Sequence, residues 1–407
     1  MRTTTVPEKW IHRADLAEAA IEDRHATGLW ALPRTNLAEV AWPGGVKEKI
    51  MLHWHYWWQA HYVDCQIDAA LRTATRPRRR RLMHTVRGIR VRNIYKLSRN
   101  KYYDDKAWLA LALRRIDSVH SLSAPTCAAE LEENLRANVD PSLGVLPWRE
   151  GENFFNVPTN GPAAIMLART GHVDEARTMT DWVFENLLNE KGLIMDGVRM
   201  RMHGPEIVKP IHPYCQGVMM GACMAIIEQL RSQAGLEPHG RIETLEDADR
   251  AEDIMDYVAR VRQLVHAVAK ELADDRGAIT TVNRGGDGGL FKGILARYLA
   301  EVAVNLPSDG GRNTSTKKIA ARLVLASAEA AWGHRLEIDG LPVFPAEWTE
   351  DAQLPRNAGV VSAKVGGALT SSGIPERDLS VQLSGWMLME AAARVSSEVG
   401  EELGLNG

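Results

Sequence analysis

The sequence predicts an all-α fold, an (α/α)6 barrel or toroid of about twelve helices, and three observations predict it. Apolar residues recur at three- and four-residue spacing through nearly the whole chain, which lines one face of a helix. Alternating Val, Ile and Thr runs are few, and no βαβ rhythm is present. The connections also differ in kind. Some are short, such as 170–172, while 140–156, 192–213, 278–289 and 336–377 are long and rich in Gly, Pro, Asn and aromatics. Helical hairpins with short links on one side and long loops on the other close naturally into a ring. A two-domain helical bundle or a solenoid is the competing architecture, and the lack of a fixed repeat period counts against the solenoid.

The helical segments begin near Glu8, Lys49, Arg78, Asp104, Ala124, Pro158, Val173, Tyr214, Leu245, Leu290, Thr314 and Leu379. The segment near Lys49 leads through HWHYWWQAH, where His53, His55 and His61 do not share one helical face, so no metal site is expected. Arg76–Arg81, reading RPRRRR, is the solvated start of a helix, with an anionic surface as its alternative partner. Ser123, Ala124 and Pro125 read as a cap followed by an early proline. Gly171 closes the segment ending ARTG, as a glycine past a helix end does. Thr244 precedes Leu245, and Asp247 places an acid in that first turn.

Composition excludes several classes. Hydrophobic residues are 45% and charged residues 25%, which argues for a globular chain and against disorder. A net charge of -3 argues against nucleic acid as a partner. Four cysteines, Cys65, Cys127, Cys215 and Cys223, form no CxxC pair and read as buried free thiols in a reducing compartment. No apolar stretch follows Arg2, and the longest apolar run, 217–227, is too short to span a bilayer. The expectation is a cytoplasmic, soluble chain without a membrane span. One domain is expected over residues 1–407, flexible in its first few residues and after about 400.

Four stretches carry candidate chemistry. In NKYYDDKAWLALALR, Asp104 and Asp105 open an apolar helix beside Tyr102, Tyr103 and Trp108. Capping explains one first-turn acid. Two adjacent acids repel, so one must bind its proton more tightly, and such a pair suits glycoside hydrolysis. The loop GVLPWREGENFFNVPTN holds Trp148, Arg149, Glu152, Phe155, Asn156 and Asn160, aromatics for a sugar face and polar groups for its hydroxyls, or a structured loop packed on the barrel. PYCQGVMMG puts Tyr214 and Gln216 at a helix start, with Gly217 and Gly221 four apart; close helix packing accounts for Gly221. NRGGDGGLFK frames Asp287 with four glycines. It fits neither a phosphate loop nor a calcium loop, and reads as a tight turn presenting Asp287 to a neutral polar ligand. Trp totals 12 against 5 Phe, a bias that fits carbohydrate contact. Serine-hydrolase elbows and HExxH are absent.

YYDDKAW, PWREGENFFN, YCQG and GGDGGLFKG together resemble glycoside hydrolase family 76, the α-1,6-mannanases, over about Trp10 to Ala393. The closing LSVQLSGWMLMEAAA is similar to actinobacterial members. The resemblance implies an (α/α)6 barrel and a retaining endo-acting mechanism on α-1,6-mannan, without cofactor. Asp104 would be the nucleophile and Asp105 the general acid/base, with Asp104 ionised and Asp105 protonated. Asn156, Gln216 and Asp287 would hold hydroxyls, and Trp148 or Tyr103 would stack. Arg149, Tyr214 and Lys292 complete the implied substrate-binding set. Transglycosylation on mannose-containing cell-wall glycans by the same pair is the alternative activity. A non-catalytic glycan-binding toroid is the alternative without chemistry.

Overall fold

Local chemistry starts and stops the helices of the computed structural model, which describes residues 5–236, 252–280, 282, 284–307, 312–356, 364–365, 368–370 and 373–405. Thr5 and Glu8 form a reciprocal capping box that opens the first helix. Thr75 caps the third, its hydroxyl accepting the Arg78 N–H. Gly171, at φ +88°, turns the chain between two helices, and the His172 N–H behind it closes onto the Leu167 carbonyl at 2.8 Å. Ser123 does not cap. The helix there begins at Thr126 behind Pro125, and the Asp117 carboxylate takes the Ala124 N–H at 2.7 Å. The expected start near Lys49 yields only one turn, Val46–Lys49, because Met51 and His55 adopt positive φ and redirect the chain before Tyr56. Thr244, Leu245 and Asp247 lie outside the described residues.

Twelve helices of eleven residues or more are described: α1 (Val6–Arg24), α2 (Tyr56–Arg72), α3 (Arg76–Arg92), α4 (Tyr103–Arg115), α5 (Thr126–Arg136), α6 (Val157–Arg169), α7 (Val173–Leu187), α8 (Pro213–Gln233), α9 (Glu252–Glu271), α10 (Phe291–Asn305), α11 (Arg312–Gly333) and α12 (Leu379–Glu398). The even-numbered helices touch in a closed circle, α2 to α4 to α6 to α8 to α10 to α12 and back to α2. The odd-numbered helices pack outside them: α3 on α2, α5 on α4, α7 on α6, α9 on α8, α11 on α10 and α1 on α12. This is the all-α toroid expected from the sequence. Gly217 and Gly221 let α8 press against α10. A Cβ on Gly217 would stand 2.9 Å from the Leu295 Cα, and one on Gly221 2.4 Å from the Tyr298 ring.

Trp10, Trp58 and Trp386 are among the largest fully buried side chains of the core. All four cysteines are buried and unpaired. The core continues to the end of the described chain, where Leu403 is buried against it. Among the described residues no helix is long and apolar enough to cross a membrane. Small sheets missing from the sequence reading decorate the loops. The largest orders β1 (Phe154–Asn156), β2 (Gly197–Arg201) and β3 (Gly204–Val208) antiparallel, with Asn156 opposite Gly197 and Gly197 opposite Val208.

Candidate active site

An open cleft of about 950 Å³ lies at the end of the ring where the inner helices begin. Its walls come from residues at or just before the first turns of α2, α4, α6, α8 and α10. Helix N-termini carry partial positive charge, and four carboxylates stand among them: Asp104, Asp105, Asp196 and Asp287.

Asp104 and Asp105 occupy the first turn of α4, whose N-cap is Tyr102 with no side-chain cap. Both acids line the cleft, so capping does not account for the pair. One oxygen of Asp104 accepts the Asp105 N–H and the other the Trp148 indole N–H, each at 2.8 Å. Burial nevertheless pushes the Asp104 carboxyl up to about 7, with Asp287 adding repulsion against those two hydrogen bonds. The upward displacement thus falls on Asp104 itself, the residue that family resemblance made the ionised one. Asp105 accepts the Asn100 amide at 2.5 Å, while the Asn100 carbonyl oxygen holds the Tyr102 N–H at 3.0 Å.

Trp148 is fixed by backbone before it acts by side chain. Its N–H donates to the Phe154 carbonyl at 2.6 Å, and its carbonyl accepts the Tyr103 N–H at 2.9 Å. Trp148 therefore holds a carboxylate as well as lining the cleft.

Asp287 is delivered by a turn that only glycine fits. Gly286 stands at φ +58°, and a Cβ there would lie 2.2 Å from the Leu369 carbonyl oxygen. One Asp287 oxygen accepts the indole N–H groups of Trp57 and Trp58 at 2.8 and 2.9 Å, and the other accepts the Leu369 N–H at 2.6 Å. Of the surrounding motif, Asn283 lies outside the described residues.

The floor is aromatic. Trp57, Trp108 and Tyr214 form a triangle with ring centroids 6.4 Å apart on every side. Phe291 stacks on Tyr214 at 4.1 Å. Asn156 lines the wall, its side-chain oxygen accepting the Thr159 hydroxyl at 2.7 Å.

Sequence reasoning missed Asp196 as a cleft residue and placed Trp108 only beside the acid pair. Asp196 sits just before β2, where its N–H donates to the Pro210 carbonyl and its own carbonyl accepts the Val157 N–H. Burial pushes its carboxyl up to about 7, opposed by Arg199. Nothing around it in sequence marks it. Trp108 had a signal, since it lies four residues from Asp104 and hence on the same helical face.

Four expected site residues lie off the cleft. Tyr103 is rotated about 100° from Asp104 and is buried beneath the Lys106 ammonium at 4.1 Å. Arg149 stands at the rim over the Tyr102 ring and pairs with Glu152 at 3.3 Å. Gln216 is buried one turn down α8, where both ends of its amide bond the Ile194 backbone at 2.8 Å. Lys292 is buried against Glu347 at 3.1 Å and the Trp348 ring, and burial lowers its ammonium to about 8. Of the three histidines of HWHYWWQAH, His53 and His55 line the cleft and His61 does not. His53 bonds Glu48, His55 precedes α2 at φ 44°, and His61 is buried under Trp108.

A closed ring of helix pairs with paired carboxylates over an aromatic floor defines a carbohydrate-cleaving enzyme of the helical-toroid class. The chain belongs to glycosyl hydrolase family 76, whose model matches residues 34–364, and it is a glycoside hydrolase. Among solved structures, it is similar to the GH76A α-1,6-mannanase from Salegentibacter sp. HEL1_6, at 24% identity and TM-score 0.73, covering 95% of this chain and 99% of that one. Lin0763 from Listeria innocua is similar at 22% identity and TM-score 0.72, with 96% and 98% covered. Dfg5 from Chaetomium thermophilum, solved with glucosamine, matches at 14% identity and TM-score 0.67, with 95% and 90% covered. At these identities the likeness establishes the shared fold. No curated protein matches the chain significantly.

Proposed function

We propose that the chain is a retaining endo-α-1,6-mannosidase, with Asp104 as nucleophile and Asp105 as general acid/base. One observation carries the reading: two neighbouring carboxylates face one cleft with different hydrogen-bond partners, Trp148 on Asp104 and Asn100 on Asp105. The Salegentibacter enzyme supports the substrate. An inactive variant of it, with two adjacent aspartates replaced by asparagine, was solved with α-1,6-mannotriose.

In the first step the Asp104 carboxylate attacks the anomeric carbon while the glycosidic C–O bond breaks and the Asp105 proton passes to the leaving oxygen. In the second, water attacks the same carbon, its proton goes to Asp105, and Asp104 departs as a carboxylate. Two inversions give net retention. The Trp148 indole and the α4 N-terminus steady the carboxylate of Asp104 at both ends of this cycle. Trp57, Trp108 and Tyr214 offer apolar surface to a sugar ring, and Asp196 and Asp287 offer acceptors to its hydroxyls.

The test is incubation with linear α-1,6-mannan, with products read by chromatography and anomeric configuration by NMR. Asp104→Asn and Asp105→Asn are each expected to abolish cleavage while circular dichroism stays native. Wild-type turnover in either variant, or an inverted product, overturns the reading. Disaccharide acceptor supplied in excess separates transfer to sugar from transfer to water.

A further inference from the structure

One face of the molecule carries charge and apolar surface that the core does not use and that, Leu52 apart, the cleft does not line. On α3, Arg76, Arg79, Arg80 and Arg87 are spaced three, four and eleven residues apart from the first and fall on one side of the helix. Arg34 joins them from the preceding loop, which is tied to α3 where the Asn36 N–H meets the His84 carbonyl at 3.1 Å. Proximity is also visible at His84, whose imidazole is held low by burial and by Arg80, Arg34 and Arg87. Arg78 and Arg81 in the same run are neutralised by Glu18 and Glu22 on α1. Among the described residues, none of the five outward arginines has such an ion pair.

At the C-terminal end of α3, beyond Arg87, large apolar side chains stand in water. Ile94 is 70% exposed, Tyr95 58%, Leu52 56% and Trp30 55%. Contacts gather Trp30 and Tyr95 around the C-terminal turn of α3. The Trp30 indole donates to the Ile50 carbonyl at 2.8 Å, Arg92 lies over Trp30 and bonds the Met51 carbonyl, and Arg90 lies over Tyr95. Trp30, Ile94 and Tyr95 also hold φ of 50°, 52° and 58°. A β-branched residue rarely adopts that region, so backbone strain is accepted here to hold apolar tips outward.

We propose that this face docks peripherally on an anionic lipid bilayer, the arginines meeting headgroup phosphates and the apolar tips entering the boundary between headgroups and acyl chains. Charge complementarity selects an anionic partner, and separate protruding tips fit a bilayer where a groove would fit a peptide. Nucleic acid would use the arginines and leave Ile94 and Leu52 without a role. Leu52 also lines the cleft, so docking sets the cleft mouth beside the membrane. On the mannan-cleaving reading above, the substrate class becomes glycan tethered to that surface.

Vesicle binding tests the surface without any turnover. The full chain is expected to sediment with phosphatidylcholine–phosphatidylglycerol vesicles and not with phosphatidylcholine alone, and to be released by salt. The double variant Arg79→Glu, Arg80→Glu is expected to lose about tenfold or more in partitioning, and Ile94→Ser, Tyr95→Ser to lose severalfold. Both should retain native circular dichroism and wild-type cleavage of soluble mannooligosaccharides. Absent or lipid-independent sedimentation overturns the proposal, as does unchanged binding by the charge-reversed variant. Retention on heparin without vesicle binding reassigns the face to a polyanionic macromolecule and also overturns it.

Discussion

At the scale of single residues, the cleft trades stability for chemistry. Asp104 has its carboxyl pushed from 3.8 up to about 7 by burial, so between those values the folded chain binds a proton that the unfolded chain does not. The contribution of Asp104 to stability therefore falls as pH rises from about 4 to about 7. Asp104→Asn removes that dependence. Because the cleft is open to water, the gain at neutral pH should be about 1–2 kcal/mol, below the roughly 4 kcal/mol of a sealed site. Thermal melts of the variant and wild type should converge near pH 4 and separate by pH 8, the variant melting higher. Convergence at every pH would remove the burial argument. On the proposed mechanism catalysis has the opposite slope, since attack by Asp104 would need its carboxylate, so kcat/KM should rise through an apparent value near 7 that belongs to the coupled pair. Trp148→Phe deletes the indole donor 2.8 Å from Asp104. That change should move the acidic limb to higher pH and lower activity most below neutrality, whereas a merely structural Trp148 would leave the limb in place.

Elements decide which of these residues could be read beforehand. Asp104, Asp105, Trp148 and Asp287 were legible because each lies in a compact motif whose chemistry survives without a fold. Asp196 was not, because it becomes a cleft residue only when β1 pairs with β2 and draws residue 196 alongside Val157. The helix count was legible from periodicity, and the ring followed from alternating connections. What failed was facing. Gln216 and Lys292 sit within motifs that reach the cleft, yet helical rotation turns both inward to structural partners, Ile194 and Glu347. The glycine turn before α10 offers a test at this scale. Gly286→Ala places a methyl against the Leu369 carbonyl at a left-handed residue, which should cost about 2 kcal/mol. It should also raise KM, because Asp287 would lose its register with the Trp57 and Trp58 indoles. A lowered melting temperature with unchanged KM would show the turn to be scaffold only.

Across the whole molecule, the two ends of the ring carry charge differently, mainly acids in the cleft and ion-paired charges at the other end. Inner helices start at the acidic cleft and run toward an end where arginines are interleaved with acids such as Asp64, Asp68, Glu301 and Glu390. Those arginines are Arg72 on α2, Arg115 on α4, Arg169 on α6, Arg297 midway along α10 and Arg394 on α12. Arg72, Arg115 and Arg169 in the last turns of α2, α4 and α6, and the acids at the N-termini, both agree with the aligned backbone dipoles. The two ends differ in how their charges are satisfied. Far from the cleft, Arg115 and Arg297 clamp Asp64 and Asp68 on α2 from both sides, with Arg115 on Asp68 at 2.6 Å and Arg297 on Asp64 at 2.9 Å. Although burial raises Asp64, those arginines win and hold its carboxyl below the usual range. In the cleft, burial wins instead. Stability and chemistry should therefore be separable by mutation. Arg297→Met strands a buried carboxylate pair with half its counter-charge and should cost about 3–5 kcal/mol. Since Arg297 lies two turns from the cleft end of α10, kcat/KM on α-1,6-mannotetraose should stay near wild type below the lowered melting temperature. A loss of kcat/KM in step with stability would show that the far-end clamp also sets the geometry of Asp104.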